Sequence, residues 1–351
     1  MKESTGLARI ISSRKHIREF ARSYSAKCGR SPGWIEKDII QAKKINHISL
    51  GEYSWLGYDS LTEEQKKTVC TLWTRAEYRR TLTDRRYICI LMNKYIFSKV
   101  FSDFYGRRCY MAKDVSREML RSLAGKEGRV IAKPNCKGQG KGVKVLPAST
   151  EEEIDTAMDF LGRADNYIVE EYITQHSELA ILNPGAVSII RFYSLSSPRG
   201  NMVFAPVLTC AINKCISNGC QDALTAMIDI RTGEVITDAV DQNELVEHVC
   251  HPVTGVRFKG LRIPYWQESL ELMRKALPLA SKISNIGWDL AITEDGPLII
   301  EANTIPGFNT AQYGGYRWVT EGWGYQPLFD YGLGGRELPE DGRYDRVLMR
   351  L

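Results

Sequence analysis

The pattern of apolar and polar positions divides the chain near residue 110. Before that point the apolar residues recur mostly at helical spacing. The stretch "DSLTEEQKKTVCTLW" has Ser60 followed three residues later by Glu63, which resembles a capping box ahead of an apolar-periodic run. The short run "RYICILM" is the one strand-like exception. We therefore predict a mostly helical N-terminal region over residues 1–110.

After that point β-rich runs dominate. The runs "RVIAKP" and "GVKVL" flank a glycine-rich loop, and the well-capped helix "STEEEIDTAMDFLG" and the strand "NYIVEEYI" follow. This strand–loop–strand–helix–strand order predicts a compact unit over residues 111–180.

A second unit is predicted over residues 181–310. It begins with the strands "AVSIIRFYSLSS", "GNMVFAPVLTCAI" and "LTAMIDIRTGEVITDAV", followed by the amphipathic helix "YWQESLELMRKALPLASKI". The runs "NIGWDLAIT" and "PLIIEAN" lie on either side of the turn "EDG", which predicts an antiparallel hairpin. The remaining residues, 311–351, are rich in Gly, Tyr and Trp and predict an irregular cap. Strands and helices mixed in this order indicate an α+β chain.

Composition agrees with a soluble globular protein. The chain has 351 residues, of which 43% are hydrophobic and 25% charged. No apolar run approaches the roughly 20 residues that a bilayer-spanning helix needs. We predict no stable membrane insertion, although the basic, mildly amphipathic start "MKESTGLARIISSRKH" leaves a peripheral membrane contact open.

The net charge of +5 is too small to indicate nucleic-acid binding, but it suits a protein with anionic ligands. The arginines of "TRAEYRRTLTDRRY" are either a solvated helix face or a landing site for a phosphorylated or acidic substrate; they are Arg75, Arg79, Arg80, Arg85 and Arg86. The nine cysteines include no C-x-x-C pair, which argues against zinc and a disulfide framework and predicts a reducing, cytoplasmic location.

The glycine-rich loop departs from the common phosphate motifs. Gly138, Gly140 and Gly142 are not followed by the Lys-Ser/Thr pair of a Walker loop, and a strand rather than a helix comes next. Glycines there leave backbone N–H groups free to approach an anion, or they simply form a flexible hairpin tip. Lys133, in the apolar strand before the loop, is costly to bury unless it is paired. A nucleotide phosphate would pair it, unless the side chain faces solvent.

Polar residues also interrupt the last apolar strands. Glu301 and Asn303 are two residues apart and point to one face, and the predicted hairpin brings Asp289 within reach of them. Two carboxylates and an amide oxygen suit Mg²⁺, with a structural salt bridge as the alternative. Arg191 in "SIIRFYSL" suits a phosphoryl group or an oxyanion, with a buried ion pair as the alternative.

Together these features resemble the ATP-grasp superfamily. The shared order is a strand lysine before a Gly-rich hairpin, an acidic strand "IVEEYI", a strand arginine, and Asp and Glu-x-Asn on the final two strands. The run "EANTIPG" resembles the family's E-x-N-x-x-P-G ending. The run "LNPGAVSIIRFYSL" resembles the sugar-transfer-associated branch, found with polysaccharide-building genes. It departs from that branch's "NPxSVNTIR" at Ser188 and Ile189. The resemblance covers about residues 90–310.

The resemblance implies a fold in which two α/β subdomains clamp ATP. The lid subdomain would be 111–180 and the core subdomain 181–310. It also implies a role for each candidate residue: Lys94 and Lys133 contact phosphates; Gly138, Gly140, Lys141 and Gly142 belong to the closing loop; Glu170, Glu171 and Tyr172 form the adenine hinge; Glu178 binds ribose; Asp289, Glu301 and Asn303 bind Mg²⁺; Arg191 steadies the transferred group.

The activity implied by the resemblance is an ATP- and Mg²⁺-dependent carboxylate–amine ligase that works through an acyl phosphate. Its substrates would be a small-molecule carboxylate and an amine, with a uronic acid, sugar-linked acid or amino acid as candidates in polysaccharide or small-molecule biosynthesis. The aromatic residues Tyr313, Tyr316 and Trp318 suit a sugar. A kinase acting on a hydroxyl and a non-catalytic nucleotide- or nucleic-acid-binding module stay as alternatives. The oligomeric state stays open, with a homodimer as one candidate.

Overall fold

The structure is a computed structural model that describes residues 6–138, 140–213, 223–241 and 246–351. Its helices are α1 (Gly6–Cys28), α2 (Pro32–Asn46), α3 (Leu50–Trp55), α4 (Glu63–Lys66), α5 (Leu72–Leu82), α6 (Cys89–Met92), α7 (Lys94–Val100), α8 (Ser102–Tyr105), α9 (Arg117–Ala124), α10 (Glu151–Arg163), α11 (Ser177–Ala180), α12 (Trp266–Ala276), α13 (Asn309–Trp318) and α14 (Gln326–Gly332). Its strands are β1 (Cys109–Met111), β2 (Arg129–Pro134), β3 (Lys144–Pro147), β4 (Tyr167–Glu171), β5 (Ile189–Ser197), β6 (Gly200–Ala211), β7 (Ala223–Met227), β8 (Ala239–Asp241), β9 (Glu247–His248), β10 (Asn285–Thr293), β11 (Gly296–Asn303) and β12 (Leu348–Arg350).

The N-terminal region is helical, as predicted, with two local corrections. Thr62, and not Ser60, caps α4, and its capping box partner is Gln65. A threonine at this position supplies the side-chain oxygen that the first free N–H groups of a helix need. The run "RYICILM" is not a strand: it forms a 3-10 turn over Arg85–Tyr87 and then α6.

The smaller sheet has the strand order β1-β4-β2-β3, and all its pairs are antiparallel. The predicted hairpin around the glycine-rich loop is confirmed, because β2 and β3 pair with Ala132 opposite Lys144. Helices α9 and α10 pack on this sheet through Leu120 and Ile154. The side chains left to the opposite face of the sheet are therefore available to line a site.

The larger sheet has the order β11-β10-β5-β6-β7-β8-β9, with β12 paired to β6 off that path. The predicted hairpin of β10 and β11 is confirmed and places Asp289 opposite Glu301. On its other side β10 pairs with β5 and places Asp289 opposite Arg191. Three neighbouring strands thus bring one arginine and two carboxylates into a row across the sheet.

Residues 311–351 differ from the predicted irregular cap. They contain most of α13, the whole of α14 and the strand β12, which extends along β6. Tyr325 and Phe329 are fully buried against Phe204 of β6. Several of the residues that suggested irregularity, among them Tyr331 and Gly332, are buried in a packed helix, since tertiary contacts outweigh local propensity.

No helix in the described ranges has both the length and the apolar character that crossing a membrane requires.

Candidate active site

A cavity lies between the two sheets. Its wall combines residues from β2, β3, β4 and the glycine-rich loop with residues from β5, β11 and the start of α7. The lining residues are Lys94, Ile131, Lys133, Lys137, Gly140, Val143, Val145, Glu170, Glu171, Tyr172, Ile173, Gly185, Ala186, Val187, Ile189, Ile300 and Glu301. Apolar walls with a few charged groups at one end are typical of a ligand site.

Glu170 is the centre of a buried charge network in this cavity. Its carboxylate forms an ion pair with Lys133, accepts a hydrogen bond from the Tyr105 hydroxyl, and lies 2.8 Å from Nε of Arg107. Only 2% of the Glu170 side chain and 3% of the Arg107 side chain are exposed. Lys133 is therefore paired within the protein, and its ammonium is held at a fixed place on the cavity wall.

Glu170 stays ionised despite its burial. Burial favours the neutral acid, but the charges of Arg107 and Lys133 outweigh burial and lower the pKa of the Glu170 carboxyl. Burial also raises the pKa of Tyr105 well above its usual value, so that the phenol remains a donor. One carboxylate facing two cations leaves this end of the cavity with excess positive charge, which suits an anionic ligand.

Arg107 also joins the two sheets. Its guanidinium donates to the carbonyls of Ile299 at 2.9 Å and Ile300 at 3.1 Å, both on β11, while it pairs with Glu170 on β4. Sequence reasoning missed this residue and its neighbour Tyr105. The stretch "YGRRCY" is a short turn without periodicity, so the only signal was two adjacent arginines before a β-rich run.

Lys94 lies at the start of α7, where two asparagines fix the backbone. Asn93 caps the helix by accepting from the amide of Ile96, and the Asn135 side chain accepts from the amide of Tyr95. Nζ of Lys94 donates to the carbonyl of Lys137 at 2.5 Å and lies 3.9 Å from Oε2 of Glu301. Lys94 thus connects the glycine-rich loop to the last strand of the large sheet.

Burial lowers the pKa of Lys94; the Glu301 carboxylate opposes this effect, and the charge of Lys133 adds to it. The two lysines named from the sequence therefore lie close enough to influence each other. A polyanion placed between them would relieve their repulsion.

The glycine-rich loop folds back over the cavity. Gly140 and Gly142 have positive φ angles of 65° and 82°, a region that side chains disfavour. Lys137 and Gly140 line the cavity, whereas Gly138, Lys141 and Gly142 are exposed outside the lining. The loop ends in a turn in which the amide of Val143 donates to the carbonyl of Gly140 at 3.1 Å.

The last residue of β4 and the two residues after it form another part of the wall. Glu171, Tyr172 and Ile173 line the cavity, but the Glu171 carboxylate is turned to Arg108, whose backbone amide and Nε lie 2.6 and 2.7 Å away. Because the Glu171 carboxylate is bound to Arg108, this segment offers mainly backbone groups to a ligand in the cavity. Glu178 is exposed on α11 and is not among the lining residues, so the structure does not bring the expected ribose ligand to the site.

The polar residues of the large sheet converge beside the cavity. Nε and one terminal nitrogen of Arg191 lie 2.6 and 2.7 Å from the two oxygens of the fully buried Asp289 carboxylate. Burial opposes the charge on Arg191, but Asp289 outweighs it and raises the pKa of the guanidinium. Arg191 and Asp289 therefore form an ion pair with each other, which is the alternative that the sequence left open for both residues.

Asn303 completes this cluster. Its Nδ2 lies 3.3 Å from Oε1 of Glu301 and 3.5 Å from Oδ2 of Asp289. A half-turn of the amide would present the oxygen instead of the nitrogen. Two carboxylates and one amide oxygen within this spacing fit the hard, oxygen-preferring Mg²⁺.

The family described as sugar-transfer associated ATP-grasp matches residues 74–317. A comparison with curated proteins gives no match.

Among solved structures, the ADP complex of purK, an N5-carboxyaminoimidazole ribonucleotide synthetase, is similar at 14% identity and a TM-score of 0.40, covering 65% of this chain and 50% of that one. N5-carboxyaminoimidazole synthetase from Staphylococcus aureus, complexed with ADP, gives 10% identity, 74% and 55% coverage and a TM-score of 0.45. D-alanine–D-alanine ligase from Bacillus anthracis gives 14% identity, 70% and 66% coverage and a TM-score of 0.39. The chain spans about half the length of the first of these.

Proposed function

Because this chain belongs to the sugar-transfer associated ATP-grasp family, we propose that it is an ATP- and Mg²⁺-dependent ligase that joins a carboxylate to an amine. The observation that carries the proposal is the convergence of Lys94, Lys133 and Glu301 on one cavity between the two sheets. Asn303 and the Arg191–Asp289 pair lie directly beside it.

In this proposal ATP occupies the cavity with its phosphates between Lys94 and Lys133. The Glu170 network holds Lys133 in place, and the loop containing Gly140 closes over the triphosphate. The adenine lies against the segment 171–173, which offers backbone groups to the base edge. Apolar residues such as Ile131 and Ile300 cover its faces.

Glu301, Asn303 and Asp289 are the residues that would hold Mg²⁺. The ion would neutralise charge on the triphosphate and keep it oriented for in-line attack. Asp289 is already engaged by Arg191 through both oxygens, so we assign it a shared role in positioning the arginine.

The proposed reaction has two steps. A carboxylate oxygen of the acid attacks the γ-phosphorus, the bond to the β–γ bridging oxygen breaks, and acyl phosphate and ADP form. The amine nitrogen then attacks the acyl carbon, loses a proton to solvent, and inorganic phosphate leaves as the amide forms. Arg191 stabilises charge on the transferred group, and the closed loop excludes water from the acyl phosphate.

The test is a screen of carboxylates crossed with amines, read by ADP release and by ³¹P NMR of the products. We expect ADP, inorganic phosphate and an amide, with uronic acids and amino acids as the first acids to try. A phosphoester product would replace the ligase with the kinase, and MgATP binding without turnover on any pair would favour a non-catalytic module.

A pair of variants tests whether the activity depends on this site. We expect Glu301→Gln to lower ADP release by roughly a hundredfold, in line with the loss of one transition-state electrostatic group. Glu152→Gln is the matched control, because Glu152 is exposed on α10 and outside the cavity. Equal activity of the two variants would remove Glu301 from the proposed metal site.

A further inference from the structure

Four of the five arginines in the arginine-rich segment form two sets that differ in their surroundings. Arg80 pairs with Glu77, whose carboxylate lies 2.7 Å away, and Arg86 pairs with Asp84 at 2.7 Å. Both of these arginines are largely exposed. Arg75 and Arg79 are four residues apart on α5, so they share one face of the helix.

That face of α5 contacts residues 304–306, which directly follow the end of β11 at Asn303. A terminal nitrogen of Arg75 donates to the carbonyl of Pro306 at 2.9 Å, and one of Arg79 lies 3.5 Å from the carbonyl of Thr304. Thr304 follows Asn303 directly in the chain. The Arg79 guanidinium therefore lies next to the residue that directly follows Asn303, one of the proposed metal ligands.

The same segment is fixed against the large sheet. A Cβ built on Gly287 of β10 would lie 2.5 Å from Cβ of Pro306, and the Tyr193 hydroxyl donates to the carbonyl of Gly307 at 2.6 Å. Gly287 and Tyr193 are paired residues, two positions along their strands from Asp289 and Arg191. Positions two apart point to one side of a sheet, so α5 lies on the side where Arg191 and Asp289 meet.

The positive charges of Arg75 and Arg79 are not balanced by acidic partners. In the described part of the chain, no carboxylate forms a salt bridge with either arginine. Nε of Arg75 is buried and has no hydrogen-bond partner among the described residues. An unpaired buried donor is unfavourable, so a small shift of the Arg75 side chain that brings Nε to an acceptor on a bound group would be favoured.

We propose that Arg75 and Arg79 bind an anionic group of the acid substrate, a phosphate or a second carboxylate, distinct from the carboxylate that reacts. The inference rests on the proposed function for the identity of the substrate. The arginines would hold the far, charged end of the acid while Arg191 and the metal ligands face its reacting end. Substrates with a single negative charge would lack this anchor.

Binding of simple anions tests the site without knowledge of the substrate. The full-length protein, free of nucleotide, is titrated with inorganic phosphate and separately with malonate, and its melting temperature is compared with that in potassium chloride of equal ionic strength. We expect Arg79→Gln and the double variant Arg75→Gln/Arg79→Gln to weaken the fitted anion affinity at least about tenfold, since each removes a charge-assisted hydrogen bond. The anion that raises the melting temperature of the wild type more identifies the recognised group as a phosphate or a carboxylate.

Two controls separate binding from folding. Arg80→Gln removes a neighbouring, outward-facing charge of the same helix and is expected to keep the wild-type response. Arg79→Lys keeps the charge and is expected to retain more affinity than Arg79→Gln. The inference is overturned if neither anion raises the wild-type melting temperature above the chloride control, or if Arg79→Gln responds like Arg80→Gln.

Turnover gives an independent readout once an acid is found. Arg79→Gln is expected to raise KM for acids with a second anionic group by about tenfold, with smaller changes in kcat and in KM for ATP. An equal effect on singly charged acids would contradict the inference while leaving the ligase intact. Failure of the wild type to bind MgATP would instead contradict the proposed function, and the anion titration would still decide the role of α5.

Discussion

At the scale of single residues, Asp289 illustrates the cost of a buried charge. Its carboxylate is fully buried and is bound through both oxygens to Arg191. Replacing Asp289 with Asn leaves the guanidinium without its counter-charge in a largely buried place. We expect a loss of about 3–5 kcal/mol in the free energy of unfolding, measured by urea denaturation.

The matched control for that change is Asp84→Asn. Asp84 pairs with Arg86, which is 84% exposed, so the loss should be much smaller than for Asp289 because solvent screens the pair. Similar losses in the two variants would mean that the Arg191–Asp289 pair is as weak as a surface pair.

Glu170 makes the stability of the protein depend on pH in the acid range. Its pKa is lowered in the folded protein by Arg107 and Lys133, against the effect of burial, so folding favours the ionised form. Its stabilisation is fully present above the ordinary pKa of 4.5 and is lost as the pH falls through the lowered, folded value.

Glu170→Gln should therefore be less stable than the wild type at neutral pH, and the difference should shrink as the solution is acidified. Urea denaturation at several pH values measures it, with Glu152→Gln as an exposed control. A difference that stays constant with pH would show that Glu170 is not ionised in the folded protein.

At the scale of elements, the glycine-rich loop offers a comparison between two of its own glycines. Gly142 has a φ of +82°, and an added Cβ would lie 2.9 Å from Cγ of Pro134 and 3.0 Å from the Tyr167 hydroxyl. Gly138 has open space around the same position. We expect Gly142→Ala to lower the free energy of unfolding, measured by thermal denaturation, by about 1–2 kcal/mol and to weaken MgATP binding. Gly138→Ala should change neither. Equal behaviour of the two variants would mean that the loop conformation is not held by these contacts.

The elements also explain what the sequence could predict. The two hairpins around the glycine-rich loop and the turn "EDG" were predictable because each is a local pairing of β-rich runs across a turn. Register then brings Asp289 opposite Glu301, as the alternation of strand side chains implies.

Other features depend on contacts between distant segments and leave little trace in a local pattern. Lys133 was expected to need a phosphate as its partner, but Glu170 of β4 pairs with it. Arg107 acquires its role only because β11, almost two hundred residues later, places two carbonyls beside it. Glu178 has suitable chemistry and spacing along the chain, yet α11 turns it to solvent.

At the scale of the whole molecule, α5 and the C-terminal helix α14 share a core with the large sheet. Phe329 of α14 is fully buried and packs edge-on against Tyr78 of α5 and Phe204 of β6, with ring centroids 5.1 and 6.2 Å apart. We expect Phe329→Ala to lower the free energy of unfolding by about 3–5 kcal/mol, measured by urea denaturation. Leu333→Ala, at a side chain that is 45% exposed, is the control and should cost much less. A small loss at Phe329 would indicate that α14 is not part of the cooperative core.

The position of α5 has a consequence for the order in which the protein folds. The hydrogen bonds of Arg107 and Tyr105 to Glu170 join residues 63 and 65 positions apart, whereas the contact of Arg75 with Pro306 spans 231 positions. Closing the longer loop costs about 1 kcal/mol more in chain entropy, and it must await the formation of β10 and β11. Pulsed hydrogen exchange during refolding should therefore protect the amides of β2 and β4 before those of residues 307–312. The nucleotide cavity itself includes Ile300 and Glu301 of β11. A newly made chain would therefore acquire its nucleotide site and its acid anchor together, once the last strand of the large sheet has formed.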